Sequence, residues 1–208
     1  MRYLAMPGAQ PSLFDALPGL PEGFRYQRSL IAADEETALL ADIERLAFRA
    51  FEFHGFLGKR QVVSFGWRYD FNGGGLGRAE PMPAFLEPLR AKAAAFAEVP
   101  EADIEHVMVS RYPPGAGIGW HRDRPNFDKV IGVSLAAPGL FRLRRRRPGG
   151  FDRVSLTVAP RSAYLIDGPA RRDWEHSIPP VAETRYSVTF RTLRNASPPP
   201  TRRAGGED

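Results

Sequence analysis

Apolar positions along the chain fall into two helical stripes followed by a long series of short alternating runs. Asp34 can cap a helix carrying Leu39, Leu40, Ile43, Leu46 and Ala47 at the three- and four-residue spacing of a buried face. Phe85, Leu89, Ala93 and Phe96 repeat that spacing and predict a second helix from about Ala84 to Ala97. From Ile104 onward the period shortens. β-branched and aromatic runs at 104–112, 129–135, 139–146, 153–158, 162–167 and 184–193 alternate with Pro/Gly turns, and runs near 60–71 add one or two more strands. The expected fold class is mostly β (α+β): a β-sandwich or jelly roll buttressed by N-terminal helices.

No internal repeat interrupts this pattern, and 208 residues suffice for one domain with a sizeable core. Residues 1–24, rich in proline and glycine, read as an N-terminal strap; 25–194 form the single domain, expected to act as a monomer. Residues 195–208, with Pro198, Pro199, Pro200, Arg202 and Arg203, read as a disordered tail. Within the strap, Gln10-Pro11-Ser12-Leu13-Phe14 resembles the pentapeptide by which bacterial proteins dock on the replication sliding clamp. The alternative is that Leu13 and Phe14 bury themselves on their own domain.

No window approaches the roughly 20 apolar residues that span a bilayer, so no membrane association is expected. The N-terminus shows no basic segment followed by an apolar core, and the chain has no cysteine, which together predict a reducing, cytoplasmic setting. The net charge of +5, carried mainly by arginine, favours phosphate-bearing partners and makes nucleic acid plausible.

The candidate chemistry centres on His121-Arg122-Asp123. In an extended segment residues i and i+2 point to one side, so one metal can take both the imidazole and the carboxylate. Such a pair is common by chance, and it gains meaning with a third ligand. Two histidines and one carboxylate on one face of an octahedron leave three positions open for cosubstrate and oxygen. His176 is the preferred third ligand, with His54 and His106 as competitors. Downstream, Arg185-Tyr186-Ser187-Val188-Thr189-Phe190-Arg191 alternates without a break. Arg185, Ser187, Thr189 and Arg191 share one face, built for anions, while Tyr186, Val188 and Phe190 share an apolar one. At about 3.3 Å per residue the two arginine backbones stand about 20 Å apart, so long side chains would address opposite ends of a dicarboxylate. A solvated strand with surface arginines is the alternative.

His-x-Asp, a histidine some fifty residues on and then Arg-x-Ser-x-Thr-x-Arg resemble the motif set of the AlkB family of nucleic-acid dealkylating dioxygenases, over about residues 104–193. The resemblance implies a double-stranded β-helix and iron(II), 2-oxoglutarate and O2 as metal, cosubstrate and oxidant. It implies release of succinate and CO2 from the cosubstrate and of formaldehyde from an N-methylated base of DNA or RNA. It implies that His121, Asp123 and His176 hold iron and serve as the catalytic residues, and that Arg185 binds the distal carboxylate of 2-oxoglutarate. Arg191 would lie by the cosubstrate and substrate, and Tyr112 would contact the cosubstrate. Ser110 stands where the family usually has asparagine, and Pro125 where some members carry an acidic base-reading residue.

Substrate contacts are expected from two places. The basic and aromatic stretch 59–69, within a nucleotide-recognition region of about 55–80, offers Lys59, Arg60, Trp67 and Tyr69. Phe65, Trp67 and Tyr69 alternate onto one face, as core residues also would. Arg142 and Arg144, with Arg146, share one face of a later strand and form a strip suited to phosphates or simply to solvent.

Overall fold

The computed structural model describes residues 19–53, 56–70 and 75–194. The clamp-like motif Gln10 to Phe14, His54 and the tail 195–208 lie outside the described residues. The elements run β1 (Phe24–Gln27), α1 (Ala33–Ile43), β2 (Arg49–Phe53), β3 (Phe56–Phe65), β4 (Trp67–Asp70), β5 (Gly75–Arg78), α2 (Glu87–Ala97) and β6 (Ile104–Tyr112). They continue as β7 (Ile118–His121), β8 (Phe127–Leu135), β9 (Gly139–Arg147), β10 (Gly150–Val158), β11 (Ala163–Ile166), α3 (Gly168–Asp173), β12 (Glu175–Ile178) and β13 (Arg185–Leu193).

Two antiparallel sheets pack face to face, with strand orders β1-β11-β8-β13-β6-β3-β2 and β10-β9-β12-β7. The hairpin β4-β5 stands apart from both. Apart from the hairpins β2-β3 and β9-β10, neighbours in both sheets are non-sequential, the mark of a jelly roll, the double-stranded β-helix that the motifs implied. The alternation in β13 explains how the layers assemble. Tyr186, Val188 and Phe190 meet Ile43, Leu86, Leu89 and Phe96 from the helical side in one apolar cluster. On the opposite face Ser187, Thr189 and Arg191 line a cavity between the sheets. A second cluster, around Phe141, Leu143, Val130 and Ile166, closes the inter-sheet space.

Several boundaries differ from the sequence reading. Helix α1 is capped at Ala32, whose N–H donates to the Glu35 carboxylate at 2.8 Å; Asp34 lies in the first turn and caps nothing. The helix stops at Ile43, leaving Leu46 packed on the core from the following turn and Ala47 exposed. A 3-10 turn over Ala84–Leu86 precedes α2; it buries Leu86 fully and leaves Phe85 half-buried against the same core. Strands β7 and β12 escaped the periodicity altogether, because four residues are too few to establish a period of two.

Candidate active site

Cross-strand registration builds the site. His176 in β12 stands directly opposite His121 in β7, which brings the two imidazoles to a centroid distance of 4.2 Å. Asp123 follows β7 by two residues, and ligand atoms of all three residues lie within 4.8 Å of one another. His121 Nδ1 donates to the Gly119 carbonyl at 2.9 Å, which fixes the tautomer and leaves Nε2 as the free lone pair. His176 Nε2 lies 3.4 Å from Asp123 Oδ2. This is not an ion pair. Burial first, and the neighbouring His121 next, push the His176 imidazolium pKa down to about 3, so His176 faces the carboxylate as a neutral imidazole. Burial likewise lowers His121.

The Asp123 side chain is only 6% exposed, and its Oδ2 is buried with no hydrogen-bond donor. Burial by itself would raise this carboxyl, but Arg191, the two histidines and Arg171 outweigh it and hold Asp123 below the usual carboxylate range. An ionised oxygen without a donor, beside two neutral imidazole nitrogens, is a donor set awaiting a cation, and the residues present fit iron(II).

Behind the carboxylate the other oxygen is fully engaged. Arg191 Nε and Nη2 donate to Asp123 Oδ1 at 2.8 and 2.7 Å, and its Nη1 lies 3.2 Å from His106 Nδ1. Sequence reading expected Arg191 to reach toward the cosubstrate. It does line the cavity, but its fork is spent on holding Asp123 rather than offered to a dicarboxylate. His106, a rival candidate for the third ligand, is instead the residue that backs Arg191. The two are register partners between β6 and β13, and burial keeps His106 neutral, well below its ordinary pKa. Arg171 of α3 donates to the carbonyls of Arg124 and Phe127, tying down the loop that follows Asp123.

At the other end of β13 Arg185 has no exposed surface at all. Its Nε donates to Ser134 Oγ at 3.2 Å, while Nη1 and Nη2 have no partner among the described residues. Its guanidinium lies 5.3 Å from the centre of the Tyr112 ring, its register partner in β6. Gly139 is required beside it, because a Cβ there would stand 2.8 Å from Arg185 Nε. Ser110, opposite Ser187, is buried with its hydroxyl unpartnered. A buried guanidinium fork with two free nitrogens, flanked by hydroxyls, has the geometry and charge to take a carboxylate. The residues therefore fit 2-oxoglutarate as well as iron.

The substrate assignments divide. Arg60 is buried, lines the cavity and stacks 4.1 Å over the Phe51 ring; Lys59 is exposed nearby. Trp67 does not reach the cavity wall: its indole N–H donates to Glu105 at 3.3 Å and Arg78 covers its ring. Tyr69 lies in β4, and its side chain is outside the described residues. Arg142 and Arg144 face outward from the second sheet and flank the Trp120 ring at 4.9 and 4.5 Å. They bond Ser177 and Glu175 respectively. Arg144 also joins Arg122, Arg145 and Arg146 around an open surface hollow of about 520 Å³, on the far side of the sheet from the metal ligands. Sequence reading missed Tyr164, Phe141 and Met108 on the cavity wall, and His106 and Arg171 behind it. Each is an ordinary strand or helix residue whose position depends on the pairing of distant segments.

A jelly roll that converges two imidazoles and a carboxylate on its inter-sheet cavity, with a buried arginine fork beside the cavity-lining Tyr112, has the site of a non-haem iron oxygenase. A family model described as the 2OG-Fe(II) oxygenase superfamily matches residues 59–195, and the chain belongs to that superfamily. Its relatives include two AlkB-type proteins. It is 26% identical to an alkylated DNA repair protein ALKBH8 homolog of Arabidopsis thaliana (89% of this chain, 59% of that one). It is 27% identical to the alpha-ketoglutarate-dependent dioxygenase AlkB of Escherichia coli strain K12 (53% and 55%). The chain thus spans little more than half the length of these relatives. Among solved structures, that of OsALKBH1 superposes with a TM-score of 0.64 at 15% identity (83% of this chain, 98% of that one). A Pseudomonas putida prolyl-4-hydroxylase gives 0.56 at 18% (83% and 93%). These two establish the fold.

Proposed function

We propose that this chain removes N-alkyl groups, methyl foremost, from bases of DNA or RNA, with iron(II), 2-oxoglutarate and O2. The observation that carries the chemistry is a pair of buried, unsatisfied groups: Asp123 Oδ2 on the cavity wall beside two neutral imidazoles, and the Nη atoms of Arg185, whose register partner Tyr112 lines the same cavity. The jelly roll also serves prolyl hydroxylation in a fold neighbour, so support for a nucleic-acid substrate comes from the named sequence relatives and from the arginine-rich outer sheet.

In this reading His121, Asp123 and His176 would hold the metal. Iron(II) with 2-oxoglutarate and O2 supplies, when bound, the oxidising power to hydroxylate a carbon attached to nitrogen. Arg191 keeps the Asp123 carboxylate oriented and ionised, and the Gly119 carbonyl keeps His121 in the right tautomer. Arg185, Tyr112 and Ser110 receive the distal carboxylate. Phe141, Val130, Ile118 and Ile178 form an apolar lining that keeps bulk water from the reacting carbon. Arg60, at the cavity wall, would meet the incoming nucleotide. A hydroxymethyl group on a base nitrogen leaves as formaldehyde. Methylated oligonucleotides incubated with iron and 2-oxoglutarate are therefore expected to release formaldehyde and recover the unmodified base. Turnover confined to peptide or small-molecule acceptors would refute the nucleic-acid assignment.

A further inference from the structure

Tyr164 has a position that packing alone does not explain. It lies in β11 opposite Gly132 of β8, and Gly132 in turn faces Thr189 of β13. Any Cβ on residue 132 would overlap the Tyr164 ring and its hydroxyl, so the bare glycine lets the phenol lie across the inner face of the sheet. Phe141, at a centroid distance of 4.6 Å, and Phe24, stacked at 6.2 Å, hold the ring. The side chain lines the cavity and the residue is 5% exposed, yet its hydroxyl has no hydrogen-bond partner among the described residues. A phenylalanine would fill the same space, so a hydroxyl on a cavity-lining ring with no partner from the protein is available to whatever the cavity holds.

The surroundings indicate what the hydroxyl meets. Burial raises its pKa to about 12, so it remains a donor at neutral pH; of the charges around it, that of Arg185 acts most strongly. Arg185 Nη1 and Nη2 and Ser110 Oγ are buried and unpartnered. A carboxylate offers about four lone-pair positions, enough for this whole set of donors. Ser110 is shorter than the asparagine usual at its position and has no amide to donate, which leaves a place for a second hydroxyl.

We propose that Tyr164 is a positioning residue for the cosubstrate, its hydroxyl donating to the distal carboxylate of 2-oxoglutarate alongside Arg185. This rests on the reading of the cavity as a 2-oxoglutarate site. The test is equilibrium dialysis of labelled keto acids against the iron(II)-loaded protein without oxygen. Tyr164→Phe is expected to weaken 2-oxoglutarate binding about tenfold or more, the effect of one hydrogen bond to a charged group. Affinity for 2-oxobutyrate, which has no distal carboxylate, is expected to stay within about twofold of the original, and iron affinity to be unchanged. Gly132→Ala, which displaces the ring, should reproduce the same selective loss. Unchanged 2-oxoglutarate binding by Tyr164→Phe, or equal weakening of both keto acids, would overturn the proposal and leave the tyrosine a packing residue. Failure of the unsubstituted iron-loaded protein to bind 2-oxoglutarate would overturn the cosubstrate reading itself.

Discussion

Arg185 carries a full positive charge with no exposed surface and a single serine hydroxyl for a partner. An uncompensated buried cation destabilises the protein that contains it, so this residue serves ligand binding at the expense of the free state. Arg185→Met is therefore expected to stabilise the cosubstrate-free protein, by about 1–4 kcal/mol, while abolishing the melting-temperature rise that 2-oxoglutarate gives. A destabilised variant in thermal melts would contradict this. Arg191 works at one remove. Arg191→Lys loses the fork on Asp123 Oδ1 and is expected to weaken iron binding about 10- to 100-fold in metal titrations, the usual cost of removing a group that orients a ligand. The buried histidines set the acid limit. His106 and His176 have folded pKa values below their ordinary 6.5, so the unfolded chain takes up protons that the folded one refuses. Stability of the metal-free protein should accordingly be full above about pH 6.5 and decline steadily below it. Denaturant midpoints across pH 4–8 check the sign, and a midpoint that rose on acidification would be incompatible with buried neutral imidazoles.

Legibility of the elements followed their length. β13 could be read in full, because nine residues of strict alternation assign both faces, and the structure puts its apolar face on the helices and Ser187, Thr189 and Arg191 in the cavity. β7 and β12 could not be read, although they carry His121 and His176. Four residues interrupted by glycine, serine and charge give no period, and only the ligand spacing hinted at them. The partnership of His106 with Arg191 was equally hidden, since it depends on the register of β6 against β13 and on no local signal. The same register turns Ser110, Ser187 and Ser134 into one row of hydroxyls across three strands. Phe141 links the sheets at this level, stacking on His176 at 5.4 Å and on Tyr164 at 4.6 Å. Phe141→Ala is expected to cost about 3–5 kcal/mol in denaturant unfolding, as large aromatic deletions from a core do. A cost below about 1 kcal/mol would mean that the inter-sheet layer is not the core described.

For the whole molecule, the net charge of +5 is distributed unevenly, and the outer face of the second sheet presents Arg142, Arg144, Arg146 and Arg153. Some of this charge is already paired, Arg144 with Glu175 and Arg145 with Asp152, which leaves exposed Arg146 free for a phosphate. If this face follows a nucleic-acid backbone, Arg146→Ala should weaken oligonucleotide binding uniformly across sequences and reduce the slope of log K against log salt by about 1. An unchanged slope would move the backbone elsewhere on the surface. The chemistry itself is independent of that face and belongs to the cavity between the sheets. Iron-dependent conversion of 2-oxoglutarate to succinate therefore tests the central claim most directly. Succinate is expected to form in step with formaldehyde on methylated nucleic acid, and to vanish in His121→Ala and in Arg185→Gln. Iron-loaded protein that produces no succinate under these conditions, or whose succinate survives loss of His121, would contradict it.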